Sequence, residues 1–254
     1  MKDKQHLQQL QLWWELPARW DDGKTEFYDE KSLEGLQPHP NLKVLELGNY
    51  MGVRIPSWVS SHTNLVRFVL YENRRLQHLP LLNQLPFLKF VTLAEMEALE
   101  YIWIDKESAS NVLGGSSSSS SSKTPFFPSL SSLTIRDCPN LKGWWRTSHH
   151  LLLPSFSPSL SQLQIFGCPN LTSVPPFPYL KEKLELRRCS WKVLQQTMEM
   201  NMGPLSQLQF LQIEEINDLE SLPKEWLRNL VSFRKLKIRE CNGRYFLASL
   251  YNGS

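Results

Sequence analysis

One spacing constrains this chain more than any other feature. Large apolar residues recur in a three-step followed by a two-step, nine times along 254 residues. The segments are Leu7-Leu10-Leu12, Leu42-Leu45-Leu47, Leu65-Phe68-Leu70, Leu88-Val91-Leu93, Leu130-Leu133-Ile135, Leu160-Leu163-Ile165, Lys181-Leu184-Leu186, Leu208-Leu211-Ile213 and Phe233-Leu236-Ile238. Only Lys181 among these 27 positions is not a large apolar residue, whereas a chain that is 41% hydrophobic would fill about 11 of them by chance. An amphipathic helix would repeat at i, i+3, i+4 and i+7, and the closing two-step does not fit that period. Alternation over two residues is the period of a strand, in which successive side chains point to opposite faces. Each segment therefore predicts one short strand with two apolar residues turned inward and the residues around them turned outward.

Strands of this kind at spacings in the twenties identify a leucine-rich repeat, a unit that buries its apolar face only by stacking on its neighbours. The expected fold is an α/β, mostly β, leucine-rich-repeat solenoid: a curved horseshoe with a concave parallel sheet of about nine strands and an irregular convex side. Residues 1–254 read as a single domain. Starts at 42, 65 and 88 are 23 residues apart, and the next gap widens to 42 residues. That gap holds Gly114-Gly115 and the serine run Ser116 to Ser122, so 104–125 is expected to be a disordered insertion. Residues 13–41, with Trp13, Trp14, Trp20 and Asp21-Asp22, read as an irregular or degenerate repeat. In the seventh segment Leu180 precedes Lys181, which implies either a bulge or a first position filled by the aliphatic stem of Lys181.

The residues that could carry chemistry read as structural. Cys138, Cys168, Cys189 and Cys241 form no CxxC pair, and each lies three residues after the last apolar position of its segment, where Asn73 also falls. They are expected to be buried thiols and not zinc ligands or nucleophiles. The Cys-Pro-Asn-Leu phrases after two of the strands read as turn punctuation. His39, His62, His78, His149 and His150 stand at no triad spacing, and neither GxxxxGK[ST] nor GxGxxG occurs. The expectation is a protein that is not an enzyme, with no cofactor, no metal and no small-molecule substrate. A net charge of +3 is too small to point to nucleic acid, and no long apolar run points to a membrane span. The start of the chain carries no apolar signal core, so the expected location is the cytoplasm or another intracellular site, nuclear or peripheral. Neither end looks capped, so marginal stability in isolation is expected.

A solenoid of this kind recognises partners with its outward strand residues, whose identities vary without harm to the core. The candidate partner-binding face comprises Glu46, then Arg67, Val69 and Tyr71, then Phe90 and Thr92, then Arg136. It continues through Gln164 and Phe166, then Lys183, Glu185 and Arg187, then Phe210, Gln212 and Glu214, and ends on Lys235, Lys237 and Arg239. Tyr71, Phe90, Phe166 and Phe210 are the candidate anchors, because aromatic residues dominate protein interfaces. The alternative is that each simply covers its neighbouring strands. The basic end could attract an acidic partner, although Glu214 and Glu215 one repeat earlier dilute it.

Several phrases carry a family resemblance. They are Leu33-Glu34-Gly35-Leu36-Gln37-Pro38-His39-Pro40-Asn41-Leu42-Lys43, Pro56-Ser57-Trp58, Pro128-Ser129-Leu130-Ser131-Ser132-Leu133 and the repeated Cys-Pro-Asn-Leu. With these the chain resembles the leucine-rich-repeat region of plant disease-resistance proteins of the coiled-coil, nucleotide-binding class. The resemblance implies a role in innate immunity, sensing a pathogen effector or restraining an adjacent nucleotide-binding switch. It implies protein partners: the nucleotide-binding domain of a resistance protein, an effector or a host target. No nucleotide-domain motif stands in this sequence, so ADP or ATP binding is not carried onto these residues. A freestanding scaffold or adaptor for protein complexes is the alternative.

Overall fold

The computed structural model describes residues 1–15, 24–103, 126–146, 154–199, 205–219, 222 and 224–241. The serine-rich insertion 104–125, and 16–23 within the irregular stretch, lie outside the described residues.

All nine segments supply a strand, and the nine strands form one parallel sheet. In chain order they are β1 (Gln9–Trp13), β2 (Val44–Gly48), β3 (Arg67–Tyr71), β4 (Phe90–Ala94), β6 (Ser132–Arg136), β8 (Gln162–Cys168), β9 (Lys183–Cys189), β10 (Phe210–Glu214) and β11 (Lys235–Arg239). Two further strands, β5 (Tyr101–Trp103) and β7 (Gly143–Trp145), make a separate small parallel sheet. Sheet neighbours in the large sheet are consecutive repeats. The register never slips: Leu45 sits opposite Leu10 and Phe68, Ile165 opposite Ile135 and Leu186, and Leu211 opposite Leu184 and Leu236. A one-residue slip would turn every leucine to the wrong face, so burial of one face enforces the register.

The inward positions behave as the spacing requires. Fifteen of the eighteen inward residues are buried, and the exceptions, Leu12, Leu236 and Ile238, lie on the two end strands, which have one strand neighbour each. Full burial of a Leu or Ile side chain contributes about 1.5–3 kcal/mol, so this ladder is the main source of cohesion. The first leucine of each unit caps a tight turn: the N–H of Leu42, Leu65, Leu160 and Leu208 donates to the carbonyl three residues back.

The seventh segment resolves into a bulge. Leu180 is buried and its N–H closes the same turn on the Phe177 carbonyl (3.2 Å), while Lys181 is exposed. Elsewhere one carbonyl accepts two N–H groups of the next strand, as Lys43 does from Val66 and Arg67. Here the Lys181 and Glu182 carbonyls take one each, from Gln209 and Phe210. The extra residue is absorbed before the strand, and the apolar register survives.

The returns between strands are irregular. The first contains a helix, α1 (Lys24–Leu36), whose Leu33 is buried and whose Leu33 carbonyl accepts from the Trp58 indole N–H (3.1 Å). A 3-10 turn spans Ser57–Ser61, and short helices span Lys192–Met198 and Lys224–Asn229. Trp144 of β7 packs ring against ring with Phe126, Phe127 and Phe156, its centroid 5.4 Å from that of Phe156. Among the described residues no helix is long and apolar enough to cross a membrane.

Candidate functional site: the open face of the sheet

Each five-residue strand turns its first, third and fifth residues outward, and perfect register stacks them into three columns across the sheet. The first column runs through Arg67, Phe90, Lys183, Phe210 and Lys235. The middle column includes Glu46, Val69, Thr92, Gln164, Glu185, Gln212 and Lys237. The outer column holds Tyr71, Arg136, Phe166, Arg187, Glu214 and Arg239. All the expected face residues therefore share one surface.

Across the sheet, neighbours satisfy one another. Gln11 donates to Glu46 (2.7 Å). Thr134 donates to Gln164 (3.1 Å), Gln164 donates to the Glu185 carboxylate, and Lys183 pairs with that same carboxylate at 3.1 Å. The four anchor candidates do not form one aromatic cluster. Arg67 lies over Phe90 (5.3 Å), Arg136 over Tyr71 (5.9 Å), and Phe210 has the Lys183 and Lys235 ammonium groups each 5.7 Å from its ring centre. Only Phe90, at 37%, ranks as exposed; Tyr71, Phe166 and Phe210 are half-buried. Glu214 departs from expectation: it is 9% exposed, set between Arg187 and Arg239 in the register, with Gln212 donating to it at 2.9 Å and the Arg187 guanidinium forming an ion pair with it at 3.9 Å.

Trp13 was not among the expected face residues, and it is the most exposed aromatic side chain among the described residues, at 57%. It occupies the outer column of β1, with Gly48 beside it on β2 and Tyr71 beyond, ring centroids 5.7 Å apart. A Cβ at Gly48 would collide with the Trp13 ring, so the ring reaches Tyr71 only because a glycine intervenes. Its signal in the sequence was its place directly after Leu12, masked by the irregular stretch that it opens.

A second unanticipated feature follows the outer column. The next residue adopts a left-handed backbone in eight repeats: Asn49, Glu72, Glu95, Asp137, Gly167, Arg188, Glu215 and Glu240, with φ between 48° and 62°. The N–H of Asn49, Glu72, Glu95, Asp137 and Glu215 extends the ladder to the outer-column carbonyl of the next strand, at 2.8–3.0 Å. That shared bond offsets a left-handed cost of about 1–2 kcal/mol per non-glycine residue. The turn also sets an acidic fringe beside the outer column. The Glu95 carboxylate beside Tyr71 pushes the phenol pKa up, and Arg187 reaches Glu215 at 3.2 Å.

In five of the nine repeats the position three residues after the last inward residue is occupied by Asn73 or by one of the four cysteines. Asn73 is fully buried, accepts from the Tyr50 N–H (2.7 Å) and donates to the Leu47 carbonyl (3.0 Å). Cys138, Cys168 and Cys189 are buried and unbridged. The hydrogen bond with the Cys168 thiol, and then burial, push Cys138 well above the ordinary thiol range; burial chiefly does the same to Cys189. Such thiols carry little thiolate. Cys241 corrects the expectation of four buried thiols: it is only half-buried, because it follows the last strand of the sheet. Asn140 and Asn170 of the Cys-Pro-Asn-Leu turns donate to the Glu97 and Pro139 carbonyls (both 2.8 Å), so the phrase stitches consecutive repeats. His62 is likewise structural, its ring nitrogens 2.7 and 3.1 Å from the Trp58 and Pro38 carbonyl oxygens.

Comparison with known proteins agrees with this frame. Residues 1–96 match the family described as R13L1/DRL21 LRRs. Two Solanum bulbocastanum proteins named for disease resistance, RGA1 and RGA2, are each 29% identical, over 92% and 82% of this chain. An Arabidopsis thaliana protein named as disease-resistance RPP13-like protein 1 is 29% identical over 40% of it. The chain spans about a fifth of the length of the curated relatives RGA1 and RGA2, 21% and 20%. The nine-strand ladder, the family match and these relatives together make the chain a leucine-rich-repeat region similar to those of plant disease-resistance proteins.

Proposed function

We propose that this chain is the partner-recognition region of a plant innate-immunity protein, and that it acts by binding and not by catalysis. The observation that carries this reading is the division of labour within every strand. The inward residues form a nearly uniform Leu/Ile frame, while the outward columns change in charge, size and aromaticity from strand to strand. A rigid sheet presenting a varied surface suits recognition of one protein partner. In this reading the open face senses a pathogen effector or holds a nucleotide-binding switch domain in its resting state.

The test is co-expression of residues 1–254 with the coiled-coil and nucleotide-binding region of a disease-resistance protein from the same genome. Co-purification that weakens on Phe90→Ala, Phe166→Ala and Phe210→Ala supports recognition of the switch through the open face. Failure to associate, with the chain folded by circular dichroism, and association unaffected by all three changes both overturn that arm and leave effector capture or a freestanding adaptor.

A further inference from the structure

The two ends of the open face are not equivalent, and the last strand is the odd one. All three outward residues of β11 are cations, Lys235, Lys237 and Arg239. Carboxylates stand nearby, yet none among the described residues pairs with them. Glu185 is taken by Lys183 and Gln164, Glu214 is covered and bound by Gln212, and Glu215 pairs with Arg187. Glu240 follows Arg239 at the left-handed turn, is exposed and makes no ion pair with it. The acidic residues that dilute this patch in the sequence are thus already engaged or point to no partner in it. Beside the three cations, the Phe210 ring lies between Lys235 and Lys183.

We propose that Lys235, Lys237 and Arg239, with the Phe210 ring beside Lys235, form a docking surface for an extended acidic segment of a protein partner. Alternate residues of an extended strand are about 7 Å apart. The three cations share that interval, so the matching segment carries carboxylates at alternate positions and lies along β11. Phe210 offers an apolar floor to whatever side chain reaches across the sheet. The proposal rests on the partner-recognition reading above and names its chemistry.

The experiment is fluorescence anisotropy of a labelled peptide of alternating glutamate and serine, titrated with the full chain, beside a block peptide of the same composition. The alternating peptide is expected to bind more tightly than the block, and to weaken as salt rises through the Debye-screening range. Replacing all three cations, Lys235→Gln, Lys237→Gln and Arg239→Gln, is expected to weaken it about tenfold or more. The single Lys237→Gln is expected to weaken it about threefold, which keeps the test decisive if the triple variant unfolds. Lys142→Gln, in the turn leading into the small sheet, should change nothing. Equal binding of the two peptides, no effect of the substitutions, or no binding at low salt would each overturn the proposal. So would duplex DNA that displaces the peptide and loses affinity in the same variants, since the surface would then be a nucleic-acid site. Association with the nucleotide-binding region is read separately, so loss of one result leaves the other standing.

Discussion

The repeats around Asn73 and those around Cys138, Cys168 and Cys189 solve the same problem with different chemistry. Both must fill a buried position where the chain turns away from the sheet beneath a left-handed residue. In the β3 repeat an amide does it, donating to the Leu47 carbonyl and accepting from the Tyr50 N–H, so a side chain ties its repeat to two backbone groups of the preceding one. In the later repeats a thiol fills the space, and its reach to backbone is limited to carbonyls such as that of Phe166, 3.2 Å from Cys168. Thiols are weak donors and behave as small apolar groups. The amide rung fixes the backbone, and the thiol rungs mainly fill volume.

The sharpest way to break this comparison is to remove one rung of each kind. Asn73→Ala strands a buried N–H and a buried carbonyl, and is expected to cost about 2–3 kcal/mol in urea unfolding. Cys168→Ala loses packing and a weak bond, and is expected to cost about 1 kcal/mol. Equal losses would mean that volume decides both positions. Gly167→Ala falls between the two chemistries: at φ +62° an added Cβ meets the Asp137 carboxylate, and a loss of about 1–2 kcal/mol is expected by the same measurement.

Reactivity sharpens the thiol side. Cys241, half-buried, is expected to be alkylated by iodoacetamide before Cys138, Cys168 or Cys189, as read by peptide mass mapping under native conditions. Simultaneous labelling of all four would show that the ladder opens as a unit. The smallest expected effect is on the fringe: Glu95→Gln removes the carboxylate that raises Tyr71, so the phenol midpoint should fall toward 10.0 in an ultraviolet titration, with unfolding unchanged. The sign follows because a neighbouring negative charge disfavours the phenolate.

Much of this was legible in the residues. The nine strands, their inward pairs and the outward columns follow from Leu-x-Leu alternation, which is a local property of the chain. The thiol positions were legible for the same reason, since they lie at a fixed offset from the strand. Other features were not. The contact of Trp13 with Tyr71 depends on Gly48 in a repeat 35 residues away, and the ion pair of Glu214 depends on Arg187 from another repeat. The left-handed residue that follows the outer column in eight repeats is Asn, Asp, Glu, Arg or Gly, so no single residue type announced it.

The sequence by itself determined the unit: a short strand, a tight turn closing on the first leucine, and a buried rung. Only the tertiary structure decided how the units met. It placed the extra residue near Lys181 in a bulge, set cations over the Tyr71, Phe90 and Phe210 rings, and left the cations of β11 without an ion pair among the described residues while engaging Glu185, Glu214 and Glu215. The physical reason is one of range. Burial of alternate leucines acts within a few residues, whereas charge pairing and exposure on the open face are set by which repeat stacks next to which.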